Sequence, residues 1–138
     1  MQSKKRVIPP RGIRNNNPLN LRIGNNWLGE RKEKDDAQFE QFISMRYGIR
    51  AAFVVLRRYI RIYHRDTIRK IIESWAPRCE NDTQSYIDTV CQLMEKGSED
   101  TIRYEDEKTM ASLLQAMARV ECGEVLDMNL IRDAYKMA

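Results

Sequence analysis

The sequence predicts a mainly α-helical (α+β) single domain with a small loop and β-hairpin region on its amino-terminal side. The chain has 138 residues, of which 42% are hydrophobic, and this suits one core without metal or disulfide staples. From residue 47 onward the apolar residues recur every three or four positions, which is the period of an amphipathic helix. Residues 11–30 are instead rich in Asn and Gly, which favour turns.

The first element in the predicted order is an extended arm at residues 1–10, followed by the single domain at residues 11–138. Pro9 and Pro10 exclude a helix in the arm and favour extended backbone before them. We see no internal repeat or low-complexity linker that would divide the remaining chain.

An ordered but irregular loop is predicted next, over residues 11–30, because Asn tolerates left-handed backbone and bonds its own main chain. Two short strands are expected, at residues 19–23 and 39–43, although the alternation of the second is imperfect. Together these segments form the predicted loop and hairpin region.

Two helices follow. The first carries one apolar stripe, which consists of Ile49, Ala52, Phe53, Leu56, Ile60 and Tyr63. Asp66 is placed to cap the second helix, and Ala76 with Pro77 is placed to stop it. The apolar positions of the second helix are Ile68, Ile71, Ile72 and Trp75.

Three more helices complete the prediction. Residues 81–83 are placed to cap the third helix, and Gly97 is placed to end it. The acidic residues 105–107 suit the start of the fourth helix, and Gly123 is placed to end it. Asp127 caps a short terminal helix. The apolar positions of the three helices are Tyr86, Ile87, Val90, Cys91 and Met94, then Met110, Leu113, Leu114, Met117 and Val120, then Leu130, Ile131 and Tyr135.

The charge of the chain is unevenly distributed. The net charge is +4, but residues 1–69 carry +10 and residues 70–138 carry −6. One interpretation is a surface for a polyanion such as nucleic acid. Because the basic residues show neither the aromatic interleaving of a single-strand platform nor a recognition-helix pattern, we expect a solvated basic face without a specific nucleic-acid partner.

The Cys and His content argues against metal chemistry. Cys79, Cys91 and Cys122 have no CxxC spacing, and His64 is the only histidine. A structural zinc site needs four such ligands at short spacing, so we expect no metal and no cofactor. The cysteines are expected to be buried free thiols, and His64 to lie on the surface at a helix end.

Membrane and secretion signals are not expected either. The longest apolar run, at residues 51–56, continues into Arg57 and Arg58 and is too short to span a membrane. The basic residues near the start are not followed by the apolar segment of a signal peptide. We therefore expect a soluble protein that is made in the bacterial cytoplasm.

A series of spaced motifs covers residues 11–94. Its parts are RGIRNNNPLNLR at 11–22, WLG at 27–29, FxxF at 39–42, YGIRA at 47–51, WAP at 75–77 and ENDTxxYI at 80–87. This order resembles a family of small phage- and prophage-encoded proteins, often labelled virion structural proteins. That family is similar to the lysozyme-like superfamily of peptidoglycan-cleaving enzymes, which includes lytic transglycosylases and glucosaminidases. The resemblance implies a phage or prophage origin and a lysozyme-like fold.

The position of the catalytic acid departs from the pattern of that superfamily. There, a helix ending in the catalytic Glu precedes the Asn-rich loop, and a later helix places a Tyr in the cleft. Here about ten residues precede the Asn-rich loop, too few for a helix of typical length. A helix ending in Glu121, Cys122 and Gly123 instead matches Glu-x-Gly near the other end of the chain. The resemblance therefore implies a circularly permuted fold with the Glu-bearing helix on the C-terminal side.

The helical phase of Glu121 agrees with this placement. At ~100° per residue, Glu121 returns to within about 20° of Met110, a core position of the same helix. Glu is rarely fully buried unless it is paired. Two interpretations fit the phase: a cleft-facing acid whose pKa is raised by apolar neighbours, or a residue at a frayed helix end that bends into water. The resemblance favours the first.

The resemblance also implies the remaining roles. Glu121 is the single general acid and base, and Tyr86 is the cleft tyrosine that supports the acid or the sugar. The residues expected to line the sugar subsites are Asn15, Asn16, Asn17, Asn20 and Trp27. Simpler alternatives stay open at each position: a core Tyr, an Asn run that only shapes turns, and a Trp that only packs.

The other candidate acids have simpler explanations. Glu80 and Asp82 precede a helix, where capping accounts for them. Glu30, Asp35 and Asp36 lie in a charged stretch that we expect to be a solvated loop.

The function predicted from the resemblance is cleavage of the glycan strand of peptidoglycan, of the lytic transglycosylase or the muramidase/glucosaminidase type. The protein would act at the cell wall during phage entry or exit, or in a secretion process, with virion or secretion-apparatus proteins as possible partners. A non-enzymatic virion or cell-wall-binding protein is the alternative, since Cys122 replaces the usual small polar residue after Glu. A basic nucleic-acid-binding module is the third interpretation.

Overall fold

The computed structural model describes residues 8–76 and 82–138. Its helices are α1 (Arg11–Arg14), α2 (Met45–Arg61), α3 (Ile68–Trp75), α4 (Thr83–Met94), α5 (Glu107–Cys122) and α6 (Met128–Met137). The prediction of a mainly α-helical chain is confirmed. Most of the predicted arm lies outside the described residues, and its residues 8–10 are exposed. The short helix α1, which begins directly after Pro10, is not predicted from the sequence.

The two predicted strands do not form as strands, although their segments pair at a single antiparallel bridge. In the described ranges, strand pairing is limited to isolated antiparallel bridges, at Arg22–Phe39, Glu30–Phe42 and Thr67–Thr101. The consecutive residues 40–42 are all buried, so this segment does not alternate between two faces as a strand does. The backbone N–H groups of Glu40 and Ile23 donate to the carbonyls of Leu21 and Gln38, and side-chain amides bond further backbone groups of this region.

Helix α5 lies at the centre of the core. It packs against α4 and α6, α6 packs against α2, and α3 packs against α4. The buried residues of α5 are Met110, Ala111, Leu113, Leu114, Ala116, Met117, Ala118 and Cys122. The last turn of this helix is therefore held by the hydrophobic core.

The amino-terminal loop is held against α2 by a close approach at Gly48. A Cβ atom at this position would lie 1.7 Å from the carbonyl oxygen of Asn16 and 3.3 Å from the Cα of Asn17. Since no side chain fits in this space, glycine is required for the helix and the loop to touch. Trp75 adds a second contact, because its indole Nε1 donates to the carbonyl of Leu19 at 3.2 Å.

Several helix ends follow the predicted caps. Asp127 begins α6, as predicted, and Asp106 begins α5 within the predicted acidic segment, each accepting a backbone N–H. The predicted cap Asp66 is wrong. The N-cap of α3 is Thr67, whose side chain accepts from the backbone N–H of Lys70 at 3.2 Å.

The boundaries of α4 differ from the prediction. Asp82 is its N-cap residue but makes no side-chain capping bond. Residues 77–81, which include the predicted proline stop and the candidate acid Glu80, lie outside the described residues. The helix ends before Gly97, because Glu95 already adopts left-handed backbone with φ 55°.

Two apolar stripes end earlier than predicted. Tyr63 lies beyond the end of α2 and is 58% exposed, and Val120 is 36% exposed near the end of α5. His64 is exposed just after α2, which confirms its predicted surface position. No helix in the described ranges is long and apolar enough to cross a membrane.

Candidate functional site

Glu121 is the second-to-last residue of α5 and is partly buried. Gly123 follows the helix in left-handed backbone with φ 75°, which confirms the predicted glycine stop. Because α5 is anchored along its length by core residues, its last turn holds Glu121 in a defined place rather than as a frayed end. The structure thus agrees with the predicted core-facing phase of this side chain.

Two side chains from distant parts of the chain bind the carboxyl group of Glu121. The Nδ2 atom of Asn20 donates to its Oε1 at 3.2 Å, and the side chain of Tyr86, on α4, is its second hydrogen-bond partner. Tyr86 lies 35 positions before Glu121, and Asn20 lies 101 positions before it. The predicted juxtaposition of Glu121 and Tyr86 is therefore present in the structure.

The environment of Glu121 favours the protonated carboxyl group. Burial raises its pKa above the ordinary value, and the hydrogen bonds from Asn20 and Tyr86 offset part of this effect by stabilising the charged form. None of the lysines and arginines in the described ranges forms an ion pair with Glu121. A partly exposed glutamate of this kind can hold a proton at a pH where an ordinary surface glutamate is ionised.

A close approach at Gly12 brings the amino-terminal loop to the end of α5. A Cβ at Gly12 would lie 2.9 Å from the carbonyl oxygen of Asn17, and 3.2 Å from both Asn20 Oδ1 and Cys122 Cβ. The absent side chain lets α1 rest directly beside the residue that follows Glu121. This role of Gly12 is not predicted from the sequence, although the residue lies within the motif at 11–22.

Asn17 fixes the turn that presents Asn20. Its amide Nδ2 donates to the carbonyls of Leu21 and Glu40, and its Oδ1 accepts from the backbone N–H of Leu21 at 2.9 Å. The backbone N–H of Asn20 donates to the carbonyl of Asn17 at 3.1 Å. Asn20 itself adopts left-handed backbone with φ 53°, a conformation that Asn accepts more readily than most residues.

The structure does not bring Asn15, Asn16 or Asn17 into hydrogen-bond contact with Glu121. Asn15 and Asn17 are buried, and Asn15 bonds Asp36 and Gln41. The Asn16 amide donates to a backbone carbonyl at 3.0 Å. These contacts agree with the turn-shaping alternative, and contact with a sugar stays a prediction for all three residues.

Trp27 lies in a small apolar cluster with Leu21, Phe42 and Ala51. This contact agrees with the alternative in which Trp27 packs within the fold. Its predicted place in a sugar subsite stays a prediction.

The charged loop after Trp27 is more ordered than a solvated loop. The Asp36 carboxylate accepts two bonds of 2.6 Å from the Arg11 guanidinium and one of 2.9 Å from Asn15. The hydrogen bond from Arg11 is the largest of the effects that hold the pKa of Asp36 well below its usual range. The expectation of a solvated position is therefore wrong for Asp36, which ties this loop to α1.

A second carboxyl group in the same loop is also buried. Glu40 is 1% exposed and lies beside Glu30, with Lys34 bonded to both. Burial raises the pKa of Glu40, and the neighbouring Glu30 adds to the rise. The burial of Glu40 is not predicted from the sequence, since a Glu that follows Phe39 in a short predicted strand is expected to face solvent.

Part of the basic face stacks on the protein's own tyrosines. The guanidinium carbons of Arg57 and Arg61 lie 5.6 and 5.1 Å from the centre of the Tyr104 ring, and Arg61 also pairs with Glu105 at 2.9 Å. These contacts occupy the aromatic surfaces on which the bases of a nucleic acid would stack. In the part of the chain that the structure describes, no cluster of His, Cys, Asp and Glu is arranged to hold a metal ion.

The fold and the site define a small, mainly helical domain whose central helix ends in a partly buried glutamate held by an asparagine and a tyrosine. No protein-family model matches the chain. It is 39% identical over 117 residues to Protein P5 of Pseudoalteromonas phage PM2, an alignment that covers 82% of this chain and 71% of the phage protein. The chain belongs to the same family as this phage protein, and the predicted relationship to phages is confirmed.

Proposed function

We propose that this protein cleaves the glycan strand of bacterial peptidoglycan with Glu121 as its general acid and base. The observation that carries the proposal is the partly buried Glu121 carboxyl group, which is bonded to Asn20 and Tyr86. Burial favours the protonated form that a general acid needs, while partial exposure leaves the group accessible to a substrate.

The proposed step needs one carboxyl group. Protonated Glu121 gives its proton to the glycosidic oxygen as the bond between that oxygen and the sugar C1 breaks. A hydroxyl oxygen of the same sugar then bonds to C1, and its proton passes to the Glu121 carboxylate. The product is an anhydro sugar, the enzyme regains its starting protonation state, and the chemistry is that of a lytic transglycosylase. Attack by water instead of the sugar hydroxyl gives the hydrolase form.

A circularly permuted lysozyme-like fold is part of the proposal. The support is the contact between the amino-terminal Asn-rich loop and the carboxyl-terminal end of α5, through Asn20 with Glu121 and through Gly12 with Cys122. In an unpermuted chain of this superfamily the acid-bearing helix runs directly into such a loop. Here the two elements touch although they lie at opposite ends of the sequence.

The test is turnover of purified glycan strands, together with zymography on cell walls, by the wild type and Glu121→Gln. Gln keeps the volume but has no proton to donate, so we expect activity to fall by at least about 100-fold, since general acid catalysis contributes about 10²–10⁴-fold. Asp82→Asn is the control, because its carboxylate makes no capping bond, and it keeps full activity.

Stability separates this effect from misfolding. Because the folded-state pKa of Glu121 is raised, the wild type loses stability as the pH rises through the interval between the unfolded and folded pKa values. Glu121→Gln does not lose stability in this way. We therefore expect its free energy of unfolding at neutral pH to equal or slightly exceed that of the wild type.

Two results would replace the proposal. Wall binding by a wild type that releases no glycan product would favour the non-enzymatic virion or wall-binding protein. Retention on DNA without wall binding would favour the nucleic-acid-binding module.

A further inference from the structure

Asn20 reaches Glu121 from the amino-terminal loop, 101 positions earlier in the chain. Its Nδ2 lies 3.2 Å from Oε1 of Glu121 and 3.5 Å from the main-chain oxygen of the same residue. One amide group therefore faces both the side chain and the backbone at the end of α5. We propose that Asn20 is a positioning residue for the Glu121 carboxylic acid. Because Asn20 binds Oε1, it directs the proton of the acid to the other oxygen, Oε2.

The chemistry of the amide gives this asymmetry. An amide N–H can only donate, so the oxygen that it binds must act as an acceptor. In the carboxylic acid form, the acceptor is the carbonyl oxygen, and the proton is on the other oxygen. The bond to Asn20 thus favours the protonated form in which Oε2 carries the proton that a leaving group would receive.

The surroundings of Asn20 hold the amide in this orientation. Its backbone is fixed in the left-handed conformation by the bond to the Asn17 carbonyl, and Asn17 is fully buried. The Oδ1 atom of Asn20 is buried against α1, where Gly12 leaves room for it. While Glu121 is ionised, rotation of the amide would move its oxygen toward a carboxylate oxygen of Glu121, where two acceptors would repel each other.

The titratable groups around Glu121 belong to different elements. The Tyr86 hydroxyl faces the carboxyl group from α4, and the Cys122 thiol is the next residue on α5. Where α1 contacts the end of α5, the residue in contact is Gly12, which has no titratable group. Loss of the Asn20 amide therefore removes one donor to the charged form of Glu121 and leaves the Tyr86 bond in place.

The test is NMR titration of Glu121 in the full-length protein with ¹³C-labelled Glu carboxyl groups, with Glu121→Gln used to assign the signal. Asn20→Gly suits the left-handed backbone and removes the amide. We expect it to raise the pKa of Glu121, so that proton affinity increases about 3–10-fold, as expected for loss of one long bond to a charged group.

Asn16→Gly is the matched control. Asn16 has the same φ of 53°, but its amide bonds the Phe42 carbonyl instead of Glu121. The two variants make the same change at the same backbone angle, so a difference in the Glu121 titration reports the amide alone. An unchanged Glu121 titration in folded Asn20→Gly would overturn the proposal, and so would an equal shift in Asn16→Gly.

The catalytic part of the inference rests on the proposed function. If the wild type cleaves glycan strands, Asn20→Gly moves the acidic limb of the pH–rate profile to higher pH and lowers kcat more than it raises KM. A wild type that cleaves no glycan refutes the proposed function, while the titration still decides whether Asn20 positions the carboxyl group.

Discussion

Gly48→Ala tests the close contact between α2 and the Asn-rich loop. The added Cβ would lie 1.7 Å from the carbonyl oxygen of Asn16 and 2.8 Å from its carbonyl carbon. These are backbone atoms of a buried, hydrogen-bonded turn, so no flexible side chain can move aside. The helix and the loop must separate by about 1.5 Å to reach an ordinary carbon–oxygen contact distance.

The cost of this separation exceeds the gain in helix propensity. Replacing Gly by Ala inside a helix stabilises it by about 1 kcal/mol, whereas overpacking a core costs about 1–3 kcal/mol and sometimes more. Since the clash is with backbone, we expect the upper end of the range and a net loss of about 2 kcal/mol. For a chain of this size, that loss corresponds to a fall in Tm of about 5–8 °C.

The measurement is urea or thermal unfolding of the wild type, Gly48→Ala and a control. Gly97→Ala is the control, because its Cβ would meet only the side chain of exposed Asp100, at 3.3 Å or more. We expect the control to change stability by less than about 0.5 kcal/mol. Wild-type stability in Gly48→Ala would show that α2 and the loop do not meet as described, and the presentation of Asn20 would lose its structural basis.

Two further predictions concern charge. Asp36→Asn destabilises the protein by about 1–3 kcal/mol at pH 7, since buried donors such as the Asn15 amide lose a charged acceptor. The pKa of Asp36 is lower in the folded protein than in the unfolded chain, so the Asp36 carboxylate stabilises the fold at a pH above the ordinary Asp pKa. This stabilisation is lost as the pH falls below that value. In denaturation curves, the difference in stability between wild type and Asp36→Asn therefore shrinks below about pH 4. An equal difference at pH 3 and pH 7 would contradict this assignment. In fluorescence anisotropy, we expect binding of the protein to DNA to be weak, independent of sequence and steeply reduced by salt. Sequence-selective binding at physiological salt would refute the interpretation of the basic face as a solvated surface.

The helices could be predicted because their information is local. Apolar spacing identified the long helix α2 and the core helix α5, and the phase relative to Met110 placed Glu121 on the core side. Capping residues were less certain, as Thr67 and Asp66 show, since neighbouring residues offer the same acceptor chemistry.

The amino-terminal loop could not be predicted in the same way. Its backbone is bonded partly by side chains such as those of Asn16 and Asn17 and partly by isolated backbone pairs, so neither strand period nor helix period applies. The contact of Asn20 with Glu121 spans 101 positions and depends on the missing side chain of Gly12, which leaves no periodic signal in a single sequence. Asn20 was predicted to line a sugar subsite, which stays a prediction, whereas its bond to Glu121 could not be predicted.

The distance along the chain between Asn20 and Glu121 has a consequence for biosynthesis. A ribosome that has released the Asn-rich loop and the first four helices has produced a chain without its acid, since α5 is then still to come. The contact between Asn20 and Glu121 closes a loop of 101 positions, and the packing of α5 offsets the entropic cost of closing it. The carboxyl group and its two partners thus come together only after the last turn of α5 has been made, and a nascent fragment that lacks this turn has no such site.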